Sequence, residues 1–145
     1  MINDENKRKG RVMGVDFGDA RTGIAVSDVT GFLASGVGVL RTTGIKSAAR
    51  AVADEAKRHG VVLIVIGNPI NMNGTEGPRS ERVRAFAEEV ATLTGLPVEL
   101  FDERLTTAAA HRIMNETDTR GRRRKGAIDA LSAEIILQNY LDSHR

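Results

Sequence analysis

At 145 residues, with 41% hydrophobic and 28% charged residues and a formal net charge of +2, the chain has the length and balance of one globular domain, too short for two full lobes. No apolar run approaches the length of a membrane span, and the N-terminus carries no signal-peptide core. The absence of cysteine excludes disulfides and thiolate metal centres and, with the missing leader, points to the cytoplasm.

Residues 1–10 are polar and charged and read as a flexible lead-in, leaving 11–145 as a single domain. Val12 to Phe17 and Gly23 to Val26 are short apolar runs that read as two strands of a hairpin. Gly18, Asp19 and Ala20 form its turn, with Gly18 supplying a positive φ. Asp16 is the anomaly of this stretch: a carboxylate inside an apolar strand needs a compensating partner, such as a divalent metal, unless it lies at the end of an edge strand and is simply solvated. Strand alternation puts it on the face of Val12 and Gly14, where Gly14 leaves room for a close approach.

Phe32 to Leu40 reads as a third strand, completing an antiparallel meander. Thr42 and Thr43 are candidate caps for a helix over Ile45–His59, whose Ile45, Ala48, Ala49, Val52 and Ala56 recur at helical spacing and which Gly60 stops. The continuous β-branched run Val61 to Ile66 suits a central strand covered on both faces. A loop from Gly67 to Pro78, rich in asparagine and glycine, is longer than a simple connection requires. Its Asn68 and Asn71 either present amides to phosphate and ribose or satisfy local turns.

A second helix follows over about Ser80–Thr94, ended by Gly95, and Val98–Phe101 forms a fifth strand running into Asp102-Glu103-Arg104. Thr106 and Thr107 cap a short helix reaching Met114. Arg120, Arg122, Arg123, Arg124 and Lys125 then make a basic run that either binds phosphate backbones or is a solvated loop aiding solubility, before a last helix over about Ala127–Leu141. An aromatic share of 3% argues against a base-stacking platform.

This order gives an α/β fold: a five-stranded mixed sheet, with a three-strand antiparallel meander, two parallel strands and helices on both faces. Asp16, the pair Asp102 and Glu103, and Asp129 near the start of the last helix are acids from distant parts of the chain. Should they converge, oxygen-only ligation favours Mg²⁺ or Mn²⁺ over Zn²⁺. Taken singly, Asp129 also fits a first-turn acid favoured by the helix dipole, and Glu103 a surface ion pair with Arg104 or a neighbour.

The blocks Val15-Asp16-Phe17-Gly18, Arg21 to Asp28, Gly67 to Gly77, Asp102 to Thr107 and Arg123 to Asp129, in this order, resemble the YqgF (RuvX) family of ribonuclease H-like proteins. Two departures stand out: Asp19 where the family usually has a basic turn, and Asn68 and Asn73 in place of the commoner leucine and aspartate. The resemblance implies a ribonuclease H-like fold and a metal-dependent endonuclease whose Asp16, Glu103 and Asp129 hold two divalent ions about 3.5–4 Å apart. It singles out Glu103 over Asp102. The implied substrate is structured RNA, in processing the 5′ end of the pre-16S ribosomal RNA, with Arg21, Asn68, Asn71, Arg104, Arg122, Arg123, Arg124 and Lys125 along the nucleic-acid path. Resolution of branched DNA by a homodimer is the alternative, and a non-catalytic RNA-binding assembly factor, monomeric or dimeric, is another.

Overall fold

The computed structural model describes residues 10–105 and 125–145, and for 125–129 the backbone alone. In chain order these residues form β1 (Arg11–Asp16), β2 (Arg21–Ser27), β3 (Ala34–Arg41), α1 (Ile45–His59), β4 (Val61–Asn68), α2 (Pro78–Thr94), β5 (Val98–Asp102), a 3₁₀ turn at Glu103–Leu105 and α3 (Lys125–Ser143). The strands make one sheet in the order β3-β2-β1-β4-β5. β1 pairs with β2, and β2 with β3, antiparallel, while β1, β4 and β5 run parallel. The expected mixed sheet is therefore present. The expected lead-in over residues 1–10 lies, apart from Gly10, outside the described residues, as do the short helix over 106–114 and the basic residues Arg120 to Arg124.

Strand alternation divides the core in two. Met13, Val15, Ile64 and Ile66 point to one face and pack beneath α1 and α2, whose Ala48, Ala49, Val52, Val83, Phe86 and Val90 are buried there. Val12, Ala25, Val65 and Phe101 point to the other face and pack beneath Ala133, Ile136, Leu137 and Tyr140 of α3. The run from Val61 to Ile66 serves both clusters, which is why it shows no polar alternation. Gly60 and Gly95, which end α1 and α2, have φ of 62° and 69°, the left-handed conformation that glycine adopts at no steric cost.

Several local expectations need correction. The cap of α1 is Gly44, without a side-chain cap hydrogen bond; instead the Thr43 N–H donates to Ser47 Oγ at 3.1 Å, and Thr42 is buried. The glycine at 44 has φ 89°, a value threonine adopts poorly, so the backbone moves the boundary past both threonines. Gly18 is not among the glycines with positive φ. It is required for space, because a Cβ there would lie 2.5 Å from the Arg21 carbonyl oxygen. α2 begins two residues earlier than Ser80, at Pro78, whose fixed φ and missing N–H suit the first helical position.

Gly14 does allow a close approach, and the approaching element is α3. A Cβ on Gly14 would lie 2.6 Å from Leu137 Cβ and 2.9 Å from the Ala133 carbonyl oxygen. On the edge strand, a Cβ on Gly36 would sit 3.5 Å from Ala130 Cβ, so α3 also lies against β3.

Candidate active site

The parallel strands β1, β4 and β5 end at one edge of the sheet, and the candidate residues gather there. β1 ends at Asp16, which shares its face with Val12 and Gly14 and so points to the α3 side. The next residue, Phe17, points the other way and stacks on Phe86 of α2, with ring centroids 4.3 Å apart. That stack fixes the end of β1 and hence the direction of Asp16. One step beyond the Val15–Ile66 partner pair, Asp16 comes level with Gly67 of β4.

Glu103 approaches the same glycine from the other side. It follows β5 on the face of Glu99 and Phe101, and a Cβ built on Gly67 would come within 2.9 Å of its Oε1. Gly67 is thus the gap through which the Glu103 carboxyl reaches over the sheet. Glu103 is half-buried. Burial pushes its carboxyl above the ordinary value; the positive charge of Arg79 pulls it back, and the negative charge of Asp102 adds to the rise. Asp102 is held differently. Arg104 donates from Nη2 to Oδ2 at 2.7 Å and from its backbone N–H to Oδ1 at 2.9 Å, and its hydrogen bonds hold the carboxyl below the usual range. The Arg104 pair considered for Glu103 is thus made by Asp102, its neighbour.

Asp129 belongs to α3, five positions into the helix, and its side chain lies outside the described residues, as does that of Lys125. Among the described residues there is no group of three or more His, Cys, Asp or Glu side chains close enough to hold a metal ion. Arg122, Arg123 and Arg124 also lie outside the described residues.

The remaining candidates divide into surface and interior. Arg21 opens β2 at this edge, directly across from Arg41, so two guanidinium-bearing positions face each other there. Asn68 is buried, and its Oδ1 lies 2.7 Å from Ser80 Oγ, so it joins the end of β4 to the first turn of α2 rather than facing solvent. Ser80 Oγ also lies 2.7 Å from Glu76 Oε1. A hydroxyl has one hydrogen to give; donated to Glu76, it leaves Ser80 to accept from Asn68 with the amide turned over. Glu76 in turn binds Arg84 at 2.5 Å and 2.8 Å, and these contacts bring its carboxyl down to about 2. Asn71 is exposed, and its amide donates to Thr75 Oγ1 at 3.0 Å, a local turn contact. The loop tip leans toward β5: a Cβ on Gly74 would lie 3.8 Å from Arg104 Nη1. Asp19, the departure in the hairpin turn, is paired with Arg82 of α2.

The Asn68–Ser80–Glu76–Arg84 chain was not foreseen. Its sequence signal is weak, because its members are separated by a loop and acquire partners through tertiary structure.

A family model described as Holliday junction resolvase, RuvX, matches residues 10–143. The chain belongs to the RuvX family. Curated relatives carry the name "Putative pre-16S rRNA nuclease": that of Myxococcus xanthus is 46% identical over 93% of this chain and 89% of its own length, and that of Clostridioides difficile 47% identical over 92% and 94%. Among solved structures, Thermus thermophilus RuvC in complex with a Holliday junction substrate superposes with a TM-score of 0.61 at 15% identity, covering 92% of this chain and 94% of that one. The fowlpox virus Holliday junction resolvase gives 0.53 at 15% identity, covering 92% and 98%. These structural likenesses give the fold of this RuvX-family chain, the ribonuclease H-like one expected from the resemblance. Among the described residues no helix is long and apolar enough to cross a membrane.

Proposed function

We propose that this chain is a divalent-metal-dependent endonuclease that hydrolyses phosphodiester bonds of structured RNA, processing the 5′ end of pre-16S ribosomal RNA in the cytoplasm. The observation that carries the reading is the placement of Glu103 over Gly67, beside the end of β1 at Asp16, at the carboxyl edge of the parallel strands. Such edges are where sheets of this kind collect ligands. The names of the curated relatives support the RNA substrate.

The donor set fits a hard cation. Asp16 and Glu103 offer carboxylate oxygens, and burial disfavours the charge on Glu103, a penalty that a bound cation relieves. In this reading Asp16, Glu103 and Asp129 hold the metal, Mg²⁺ or Mn²⁺. When bound, the metal supplies positive charge for the attacking water and for the departing oxygen. The protein's own residues do the rest. Glu103 would hold the metal as the ionised carboxylate, the form that the positive charge of Arg79 favours. The Phe17–Phe86 stack holds Asp16 on the α3 side, away from the apolar core under α1 and α2. Arg122, Arg123, Arg124 and Lys125 precede Asp129 in sequence and would steer a phosphate backbone toward it.

The test is incubation of the protein with labelled pre-16S rRNA and, separately, with a DNA four-way junction, each with Mg²⁺, Mn²⁺ or a chelator. Metal-dependent cleavage of the RNA at a defined position is expected. Cleavage of the junction alone makes the chain a DNA resolvase, as the family description would have it. Binding without cleavage in any metal makes it an RNA-binding assembly factor.

A further inference from the structure

The arginines around the carboxyl edge of the sheet are not equivalent. Arg82 is paired with Asp19, Arg84 with both oxygens of Glu76, and Arg104 with Asp102. Each of these guanidinium charges is matched by a carboxylate within contact distance. Arg79 is exposed and makes no hydrogen bond or ion pair with a described residue, though its charge is felt at the Glu103 carboxyl. It lines a depression together with Phe17, Gly18, Asp19, Arg82 and Val83, between the β1–β2 turn and the first turn of α2.

The position of Arg79 is fixed by its neighbours. Pro78 precedes it at the start of α2, and Ser80 follows it, fully buried and joined to Asn68 at the end of β4. The helix turn that carries Arg79 is therefore tied to the strand end beside Gly67 and Glu103. A long cationic side chain on a rigid base, exposed and in no ion pair with a described residue, is suited to a mobile anion: arginine binds phosphate oxygens through paired N–H donors.

We propose that Arg79 anchors the nucleic-acid substrate, binding a backbone phosphate that flanks the reacting one in the depression between the hairpin turn and α2. This rests on the reading that the carboxyl edge binds nucleic acid. It adds a phosphate contact on the α2 side of the sheet. The Asp19–Arg82 pair beside it neutralises a second guanidinium, so the depression presents the charge of Arg79 to one phosphate rather than forming a broad basic patch.

The experiment measures binding in chelator, so that affinity is read without cleavage. A structured RNA hairpin and a DNA four-way junction are titrated across a salt series with the full chain and with Arg79→Ala, Arg79→Lys and Arg58→Ala. Arg58 is exposed near the end of α1, beside the start of β4 and so at the opposite edge of the sheet. Arg79→Ala should lower affinity roughly ten- to a hundredfold, the range for a lost charge-assisted contact, and reduce the slope of log affinity against log salt by about 0.7–0.9. Arg79→Lys should restore the slope but not all of the affinity, since lysine keeps the charge and loses the paired donors. Arg58→Ala should match the parent.

An unchanged affinity and slope in Arg79→Ala overturns the assignment, whatever the protein cleaves. Cleavage by the parent in Mg²⁺ or Mn²⁺ is measured separately. Its absence, with the salt slope still dependent on Arg79, overturns the nuclease reading and leaves the anchor standing. A parent that binds neither nucleic acid overturns both. Because Arg79 is exposed, far-UV circular dichroism and the unfolding midpoint should be unchanged in its variants, which separates lost contact from lost fold.

Discussion

Gly67 and Glu103 share one space: the Glu103 carboxyl occupies the position where any side chain at 67 would begin, with Oε1 2.9 Å from a built Cβ. Ile136 Cδ1 is nearer still, at 2.6 Å. Both obstacles are the far ends of flexible side chains, so Gly67→Ala can be accommodated by moving them. The expected loss of stability is about 1–3 kcal/mol, typical of overpacking. The loss of cleavage should be larger than that destabilisation explains, because the displaced group is the proposed metal ligand. Chemical denaturation beside cleavage rates decides the matter; a variant of parental activity would mean that the placement of Glu103 over Gly67 is immaterial to the reaction.

Gly14 offers the contrasting case. A Cβ there meets Leu137 Cβ at 2.6 Å and the Ala133 carbonyl oxygen at 2.9 Å, atoms close to or within the α3 backbone that cannot rotate away. Gly14→Ala should push α3 off the sheet and destabilise the fold by about 3 kcal/mol or more. Equilibrium unfolding in urea measures it. A loss under about 1 kcal/mol would show that α3 shifts on the sheet with little resistance.

Asp16→Asn retains shape and removes one negative charge from the carboxyl edge. Cleavage should fall by more than the roughly 10–100-fold that follows loss of an outer-sphere partner, because a proposed direct ligand is altered. Nucleic-acid affinity in chelator should hold or rise, since a carboxylate no longer repels phosphate. Single-turnover cleavage and a binding titration on the same preparation separate the two effects. Equal cleavage by parent and variant would assign the activity to another site.

The acid limb of stability has a definite sign at Glu76. Hydrogen bonding to Arg84, then to Ser80, lowers its carboxyl from 4.5 to about 2 in the folded chain. A lowered carboxyl contributes stability that is complete above its unfolded value and is lost as pH falls through the folded one. The difference in unfolding free energy between parent and Glu76→Gln should therefore be constant from neutral pH to about 4.5 and shrink between about 4.5 and 2. Added salt should reduce it throughout, because the pair is exposed. A difference that grows toward low pH would contradict the pairing.

Much of the architecture could be read directly from the chain because the relevant signals are local. The span of α1 follows from apolar spacing and a terminal glycine, and β4 from an unbroken β-branched run that packs on both faces. The errors arise where a distant partner decides. Asn68 looks like a loop amide until Ser80, across the loop, buries it. Gly18 looks like a residue chosen for positive φ, when the Arg21 carbonyl demands empty space. The alternation that places Asp16 on the α3 side also sets Glu103 with Phe101, but it leaves Asp102 and Glu103 as neighbours of equal standing. Their difference comes from Arg104 folding back on Asp102 and from the gap at Gly67. Arg79 has no sequence mark to separate it from Arg82 and Arg84; what distinguishes it is that no described carboxylate forms an ion pair with it, as Asp19 does with Arg82 and Glu76 with Arg84.

The long-range seating of α3 on the sheet also orders events during synthesis. Its Glu134 and Gln138 accept from the N–H groups of Gly36 and Ala34 on the edge strand, contacts that span 98 and 104 positions of chain. The face under α1 and α2 can close once β5 has emerged, but the face bearing Asp16 and Glu103 stays open to water until α3 arrives. A nascent chain would therefore carry a half-built sheet with its acids uncovered, and the lid on that half is the segment that also brings Asp129. Capacity to cut nucleic acid would then arise only after α3 has docked.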